Sequence, residues 1–264
     1  MNARRPVVAV VALFCFLFLY LPSAAVAVFS FNQAKYGLAW KGFTWDWYAR
    51  LFQNQAVLEA AWNSLITAGI STALATVLGT ALALGLDRFP WPPRLKAAMD
   101  LVIHLPLVTP DIILAAALVL TFSFFQALAG ILDMGWTTLI IGHVTFQISF
   151  VALVVRSRLA ALGRDLDEAA RDLYASSLYL FLRVTLPLIW PGILAGAMLA
   201  FTLSLDDFII SFFTHGPDSV TLPIYIYSSI RRGISPEIHA LSTLVLLATV
   251  ALVILAERLM PRVR

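Results

Sequence analysis

Six apolar runs dominate this chain, at about Val7–Phe29, Ala60–Leu86, Leu101–Phe125, Trp136–Val155, Leu188–Phe213 and Ile238–Ala256. Each reaches the roughly 20 residues that a helix needs to cross ~30 Å of hydrocarbon. A spanning segment finds no water for its backbone N–H and C=O groups, so it has to pair them internally, as a helix does. The expectation is an all-α membrane protein with six transmembrane helices. Composition agrees, with 61% hydrophobic and only 12% charged residues, against about 25% charged in a soluble domain.

The basic residues suggest an orientation. With the N-terminus inside, thirteen of the 18 fall on the inner side and five on the outer. Arg88, Arg94 and Lys96 follow span two, Arg156, Arg158, Arg164, Arg171 and Arg183 separate spans four and five, and Lys35, Lys41, Arg50, Arg231 and Arg232 lie outside. Both termini are therefore expected in the cytoplasm. Arg4 and Arg5, an apolar run and Ala25-Val26-Ala27 also have the look of a cleavable secretory signal. The run is longer than a signal core and five more spans follow, so a retained first helix is expected. No Gly/Ser-rich linker divides the chain, which reads as a single transmembrane domain over residues 1–264. The outer loop Ser30–Glu59 is rich in rings (Phe31, Trp40, Phe43, Trp45, Trp47, Tyr48), which suits a lipid headgroup region.

Several chemistries are excluded or disfavoured. The chain has one cysteine, Cys15, in an apolar run, so it has no internal disulfide or thiolate metal cluster. His104, His143, His215 and His239 show no zinc-ligand spacing, and no nucleophile motif occurs. Lys35, Lys41 and Lys96 stand in no Gly-x-x-x-x-Gly-Lys-Ser/Thr context, so the usual phosphate-cradling loop is missing. No catalytic residue, metal site, bound cofactor or nucleic-acid partner is expected.

The stretch of about 156–187 is the longest inner loop. Leu159, Leu162, Leu166, Ala169 and Leu173 recur by three and four, as on one helical face. Arg164 with Glu168, and Asp167 with Arg171, set opposite charges four apart. The residues themselves fit either a packed loop or a docking helix for another protein. Acidic residues also enter the apolar runs: Asp111 midway along span three after Pro106 and Pro110, and Asp206-Asp207 in the outer half of span five. An aspartate deep in a membrane costs roughly 2.5–3.5 kcal/mol on insertion scales, so it lines a bundle interior or a polar cavity. Asp111 is read either as a tie to His143 or Thr145 or as part of a polar route. Adjacent Asp206 and Asp207 repel each other, which favours either a shared proton or an attracted cation, and a flexible polycation would relieve that repulsion. Phe208, Phe212 and Trp190 are nearby candidates for aromatic faces toward ammonium groups.

Glu168-Ala169-Ala170-Arg171-Asp172-Leu173, followed by Val184-Thr185-Leu186-Pro187, resembles the Glu-Ala-Ala loop of ABC importer permeases, with Val184 where that family has Ile. Tyr174 occupies the position of the family glycine, which implies either a regular turn or a strained one; a remodelled turn with Tyr174 packed on the ATPase is expected. Phe201-Thr202-Leu203-Ser204-Leu205-Asp206-Asp207-Phe208 looks like the corresponding segment of spermidine/putrescine permeases of the second-subunit type. So do Leu107-Val108-Thr109-Pro110-Asp111, Gly142-His143-Val144-Thr145-Phe146 and the stretch from Leu222-Pro223 through Ile230–Ala240. The resemblance implies a type I importer permease fold in the bacterial cytoplasmic (inner) membrane. It also implies a second homologous permease, two ATPase subunits that carry ATP and Mg, and a periplasmic polyamine-binding protein. Glu168, Ala169, Ala170, Asp172, Tyr174, Leu186 and Pro187 would contact the ATPase, and Arg231 and Arg232 the binding protein. The alternatives are a permease for another small solute and an ion-coupled secondary transporter, against which the Glu-Ala-Ala pattern speaks.

Overall fold

The computed structural model describes residues 4–34, 39–163, 165–232 and 236–259. These form helices throughout, with one isolated antiparallel bridge between Asn32 and Phe43. In chain order the helices are α1 (Arg4–Phe29), α2 (Asp46–Gln53), α3 (Gln55–Arg88), α4 (Pro93–Val108), α5 (Asp111–Ala129), α6 (Trp136–Leu162), α7 (Asp165–Asp172), α8 (Ser177–Leu180), α9 (Leu186–Asp206), α10 (Ile209–Thr214), α11 (Leu222–Arg232) and α12 (Pro236–Leu259). A π-turn, Phe181–Thr185, joins α8 to α9. Five stretches are long and apolar enough to cross a membrane: Val8–Phe29, Gln55–Arg88, Asp111–Ala129, Trp136–Leu162 and Ser177–Asp206. Pro236–Ala251 is a shorter apolar helix among the described residues.

The chain divides into two compact units. The first takes Met1–Leu58 and Tyr225–Leu259, and in it α12 packs against both α1 and α2. Asn32 organises the described residues after α1. The Asn32 side chain accepts from the backbone N–H groups of Ala34 and Lys41 and donates to the Ala39 carbonyl, which closes the loop on itself. The buried Trp47 indole donates to the Asn32 carbonyl at 2.8 Å. Phe31, Phe43, Trp45 and Tyr48 stack edge and face beside it, with ring centroids 4.8–5.6 Å apart. Along α1 itself the large side chains from Val8 to Leu21 are exposed, the signature of a helix whose surroundings are apolar.

The second unit, Glu59–Ile224, is built around α6. One cluster joins α3, α6 and α9 through Ala83, Val151, Ala152, Val155, Leu159, Ile189, Ile193 and Ala200. A second joins α5, α6 and α10 through Ala115, Leu118, Phe122, Phe146 and Ile210. Small residues set the approach of α3 to α6. A Cβ added at Gly79 would stand 2.8 Å from the Val151 Cβ, closer than real side chains come. Lipid tails are as apolar as leucine, so close backbone approach and interhelical hydrogen bonds hold such helices together. Arg156 on α6 pairs with Asp100 on α4 at 2.7 Å.

Two apolar runs and one amphipathic face are interrupted where the sequence pattern reads as continuous. Span three divides into α4 and α5 at Thr109, which is extended (φ −81°, ψ 129°). Pro110 forces this: proline lacks the N–H that would continue the helix and pushes its predecessor out of the helical region. Asp111 therefore stands in the first turn of α5 and not midway along a span. Span five divides at Asp207, also extended (φ −64°, ψ 123°), between α9 and α10. The amphipathic face running from Leu159 to Leu173 is cut as well. Gly163, at φ 68°, ends α6, so Leu159 and Leu162 belong to the core while α7 starts afresh at Asp165.

Candidate functional site

The polar interior of the second unit converges on the α9–α10 break. There Asp207 caps α10: its Oδ2 accepts from the Ser211 N–H at 2.8 Å and the Ser211 hydroxyl at 2.9 Å, and its Oδ1 accepts from the Ile210 N–H at 3.3 Å. A carboxylate at this position satisfies N–H groups that the first turn of a helix leaves without partners. His143, fully buried on α6, lies with Nε2 2.9 Å from the Ser211 hydroxyl and 3.5 Å from the Asp207 carboxylate. Its Nδ1 is 2.7 Å from the Ser204 hydroxyl on α9. Ser204 stands 3.3 Å from Ser71 on α3, and the Gln147 amide donates to both Ser71 and the Ala200 carbonyl at 3.2 Å. Four helices thus share one line of hydrogen bonds ending at a carboxylate.

Asp206 differs from its neighbour. It is the last residue of α9, is exposed, and among the described residues its side chain shows no ion pair and no hydrogen bond to another residue. The rings of Phe208 and Phe212 lie beside the break, 5.4 Å apart. Trp190 does not join them. It is exposed on α9 sixteen residues before Asp206, which at 1.5 Å per residue is about 24 Å along the axis. Asp111 is exposed, and the tie expected to His143 or Thr145 is absent from the described contacts. Thr145 bonds instead to the Ile141 carbonyl one turn back, and His143 is taken by two serines. His143, Gln147, Ser71, Ser204 and Ser211 are site residues that sequence reasoning missed as a group. A clue existed in polar side chains set inside apolar runs.

The α6–α9 connection is organised differently. Glu168, Ala169 and Asp172 are exposed on α7, and Ala170 is half-buried. Arg164 and the side chains of Asp167 and Arg171 lie outside the described residues, so the expected charge pairs of α7 do too. Tyr174 follows α7 at φ 57°, and the Ala175 N–H reaches back to the Ala170 carbonyl at 3.1 Å. That bond, with a left-handed residue just past the helix, is the helix-ending turn usually built on glycine. Of the two possibilities for this position, the structure has the left-handed one: the turn is kept and not remodelled, at a cost of roughly 1–2 kcal/mol for a residue with a Cβ. The Tyr174 side chain is 98% exposed, and Leu173, Leu178, Tyr179 and Leu182 around it are exposed too. Ser176 then caps α8 through the Tyr179 N–H. Leu186 packs on the first core cluster, and Pro187 comes just after the π-turn Phe181–Thr185, in a stretch that stays helical from Ser177 to Asp206. Arg231 is exposed with its guanidinium 5.9 Å from the centre of the Tyr227 ring; the Arg232 side chain lies outside the described residues.

Comparison with known proteins places these features in a family. Residues 75–264 match the family described as binding-protein-dependent transport system inner membrane component. The chain is 40% identical over 262 residues to the putrescine transport system permease protein PotI of Escherichia coli K12, covering 98% of this chain and 92% of that protein. It is 36% identical over 242 residues to the spermidine/putrescine transport system permease protein PotC of Haemophilus influenzae, covering 92% and 91%. These relatives are transport components and not enzymes. Among solved structures, the fold matches a bacterial ABC transporter involved in the import of the acidic polysaccharide alginate, with TM-score 0.77, 18% identity and coverage of 97% and 94%. It also matches the MetNI methionine ABC transporter, with TM-score 0.61, 20% identity and coverage of 77% and 94%. The architecture is that of type I ABC importer permeases, and the chain belongs to the family of binding-protein-dependent transport system inner membrane components.

Proposed function

We propose that this chain is a permease subunit that carries a polyamine, putrescine or spermidine, through the bacterial cytoplasmic membrane. The observation that carries the substrate reading is the exposed Asp206 at the end of an otherwise apolar helix, beside Phe208 and Phe212. A bare carboxylate in that setting is expensive unless it meets a cation or a polar route. A linear polyamine supplies ammonium groups for the carboxylate and methylenes for the rings. The names of the similar permeases from Escherichia coli and Haemophilus influenzae support the same substrate class. Trp190, distant along α9, takes no part in this contact, and Asp111 contributes charge from the start of α5.

In this reading α12 is the sixth span and both termini are cytoplasmic, as the bias of 13 basic residues to five suggests. The α7–α8 segment then lies on the inner face, where Glu168, Asp172, Leu173 and Tyr174 enter a groove on an ATPase subunit. ATP and its Mg are held by that partner, of which two copies serve this chain and a second homologous permease. Arg231 and Arg232 face a periplasmic polyamine-binding protein, and the aromatic turn at Phe31–Tyr48 rests in the headgroups. Closure of the ATPase pair would shift α7 and α8 as rigid elements and, through α9, alter access at the break.

Uptake of radiolabelled putrescine and spermidine by the complete complex in proteoliposomes tests the proposal. ATP-dependent accumulation of either is expected, and accumulation should fall about tenfold or more in Asp206→Asn, the scale of a lost charge-assisted contact. Movement of a neutral solute with no polyamine uptake would overturn the substrate.

A further inference from the structure

With Asp207 ionised and the His143 ring neutral, the hydrogen bonds inside the second unit run in one direction. The Ala200 carbonyl can only accept, so the Gln147 atom facing it at 3.2 Å is the amide nitrogen. The same nitrogen donates to the Ser71 hydroxyl at 3.2 Å. Ser71, having accepted, passes its own proton toward Ser204 at 3.3 Å, in preference to the longer 3.5 Å contact with the Ala68 carbonyl. Ser204 in turn donates to His143 Nδ1 at 2.7 Å. At the far end an ionised Asp207 can only accept, and the Ser211 hydroxyl donates to it at 2.9 Å. The Ser211 oxygen is then free to accept from His143 Nε2 at 2.9 Å.

We infer that His143 is a positioning residue of the transport route, locked as the neutral Nε2–H tautomer by the chain from Gln147, and that it holds Asp207 at the α9–α10 break. The inference rests on the polyamine reading only for its transport consequence. Its physical basis is the complete burial of His143 and the placement of both ring nitrogens within hydrogen-bond reach of serines. With Asp207 fixed by two backbone N–H groups and by the Ser211 hydroxyl, whose oxygen His143 holds in turn, the break keeps one geometry. Asp206 is then presented at a constant angle to whatever passes. The chain also ties α3 and α6 to the break, so a shift of either helix is felt at Asp207.

Two measurements test it. In the full chain labelled with 15N-histidine, the His143 signals (assigned by their loss in His143→Gln) should show a protonated Nε2 and an unprotonated Nδ1. A protonated Nδ1, or a doubly protonated ring, overturns the inference. In the assembled importer, His143→Gln extends an amide to the Nε2 position and should keep the KM for polyamine within about threefold, whereas His143→Asn reaches only the Nδ1 position and should raise it about tenfold. Equal KM values for the two variants, with melting temperatures both lowered, would reduce His143 to a packing residue and overturn the positioning role. If the wild-type complex moves no polyamine, the substrate reading fails, while the tautomer still decides the hydrogen-bond chain.

Discussion

The α7–α8 segment and the α9–α10 break both interrupt long helices, yet they settle their polar and apolar groups in opposite ways. At the break, charge is turned inward: Asp207 is 10% exposed and is met by Ser211, the Ile210 N–H and His143. In the α7–α8 segment, apolar surface is turned outward: Leu173, Tyr174, Leu178 and Tyr179 are exposed on a turn that carries a left-handed tyrosine. The first arrangement is complete within one chain. The second leaves its large apolar residues uncovered, and such a cluster is stabilised when another surface covers it. In the function proposed above, the first would keep the route in shape and the second would be the element that an ATPase subunit grips.

Three experiments would sharpen or break that contrast. The largest effect is expected from deleting Glu168–Leu173. ATP-linked uptake by the reconstituted complex should vanish while the permease still inserts and keeps its helical circular dichroism; retained uptake would remove the coupling role of α7. Next comes Gln147→Leu, which strips the donor from the inner end of the hydrogen-bond chain and leaves Ser71 and the Ala200 carbonyl without it. A loss of about 1–2 kcal/mol is expected, seen as a lower melting temperature of the detergent-solubilised protein. An unchanged transition would mean that the interior tolerates rearrangement better than its burial suggests. The smallest effect is that of Tyr174→Gly. Relief of the left-handed backbone is worth about 1 kcal/mol, so the fold should hold or gain slightly. Coupled ATPase activity should nevertheless fall, because the exposed ring is gone; unaltered hydrolysis would show that the ring touches no motor subunit.

Much of the architecture could be read from local pattern. Apolar length alone pointed to membrane helices, and Glu168-Ala169-Ala170 with Leu186-Pro187 pointed to the family. The breaks were less legible. Pro110 lies within an apolar run, and its effect on Thr109 was hidden by counting apolar residues through it. Asp207 has no proline to announce a break; the extended backbone there goes with a carboxylate that caps the next helix. Tyr174 shows the reverse case, in which the identity of the residue argued for a new turn while the surrounding bonds kept the old one.

By itself the amino-acid order determined that this protein is helical, membrane-embedded and without a nucleotide-binding loop, because those properties depend on short-range composition and spacing. Which aspartate is buried and which is bare was decided only in three dimensions. Ser204 is 61 residues from His143, and Ser71 is 76 from Gln147, and hydrogen bonds over such separations leave no periodic trace in the chain. Adjacent residues with identical side chains differ here because the backbone turns between them, placing Asp207 against the core and leaving Asp206 at its edge.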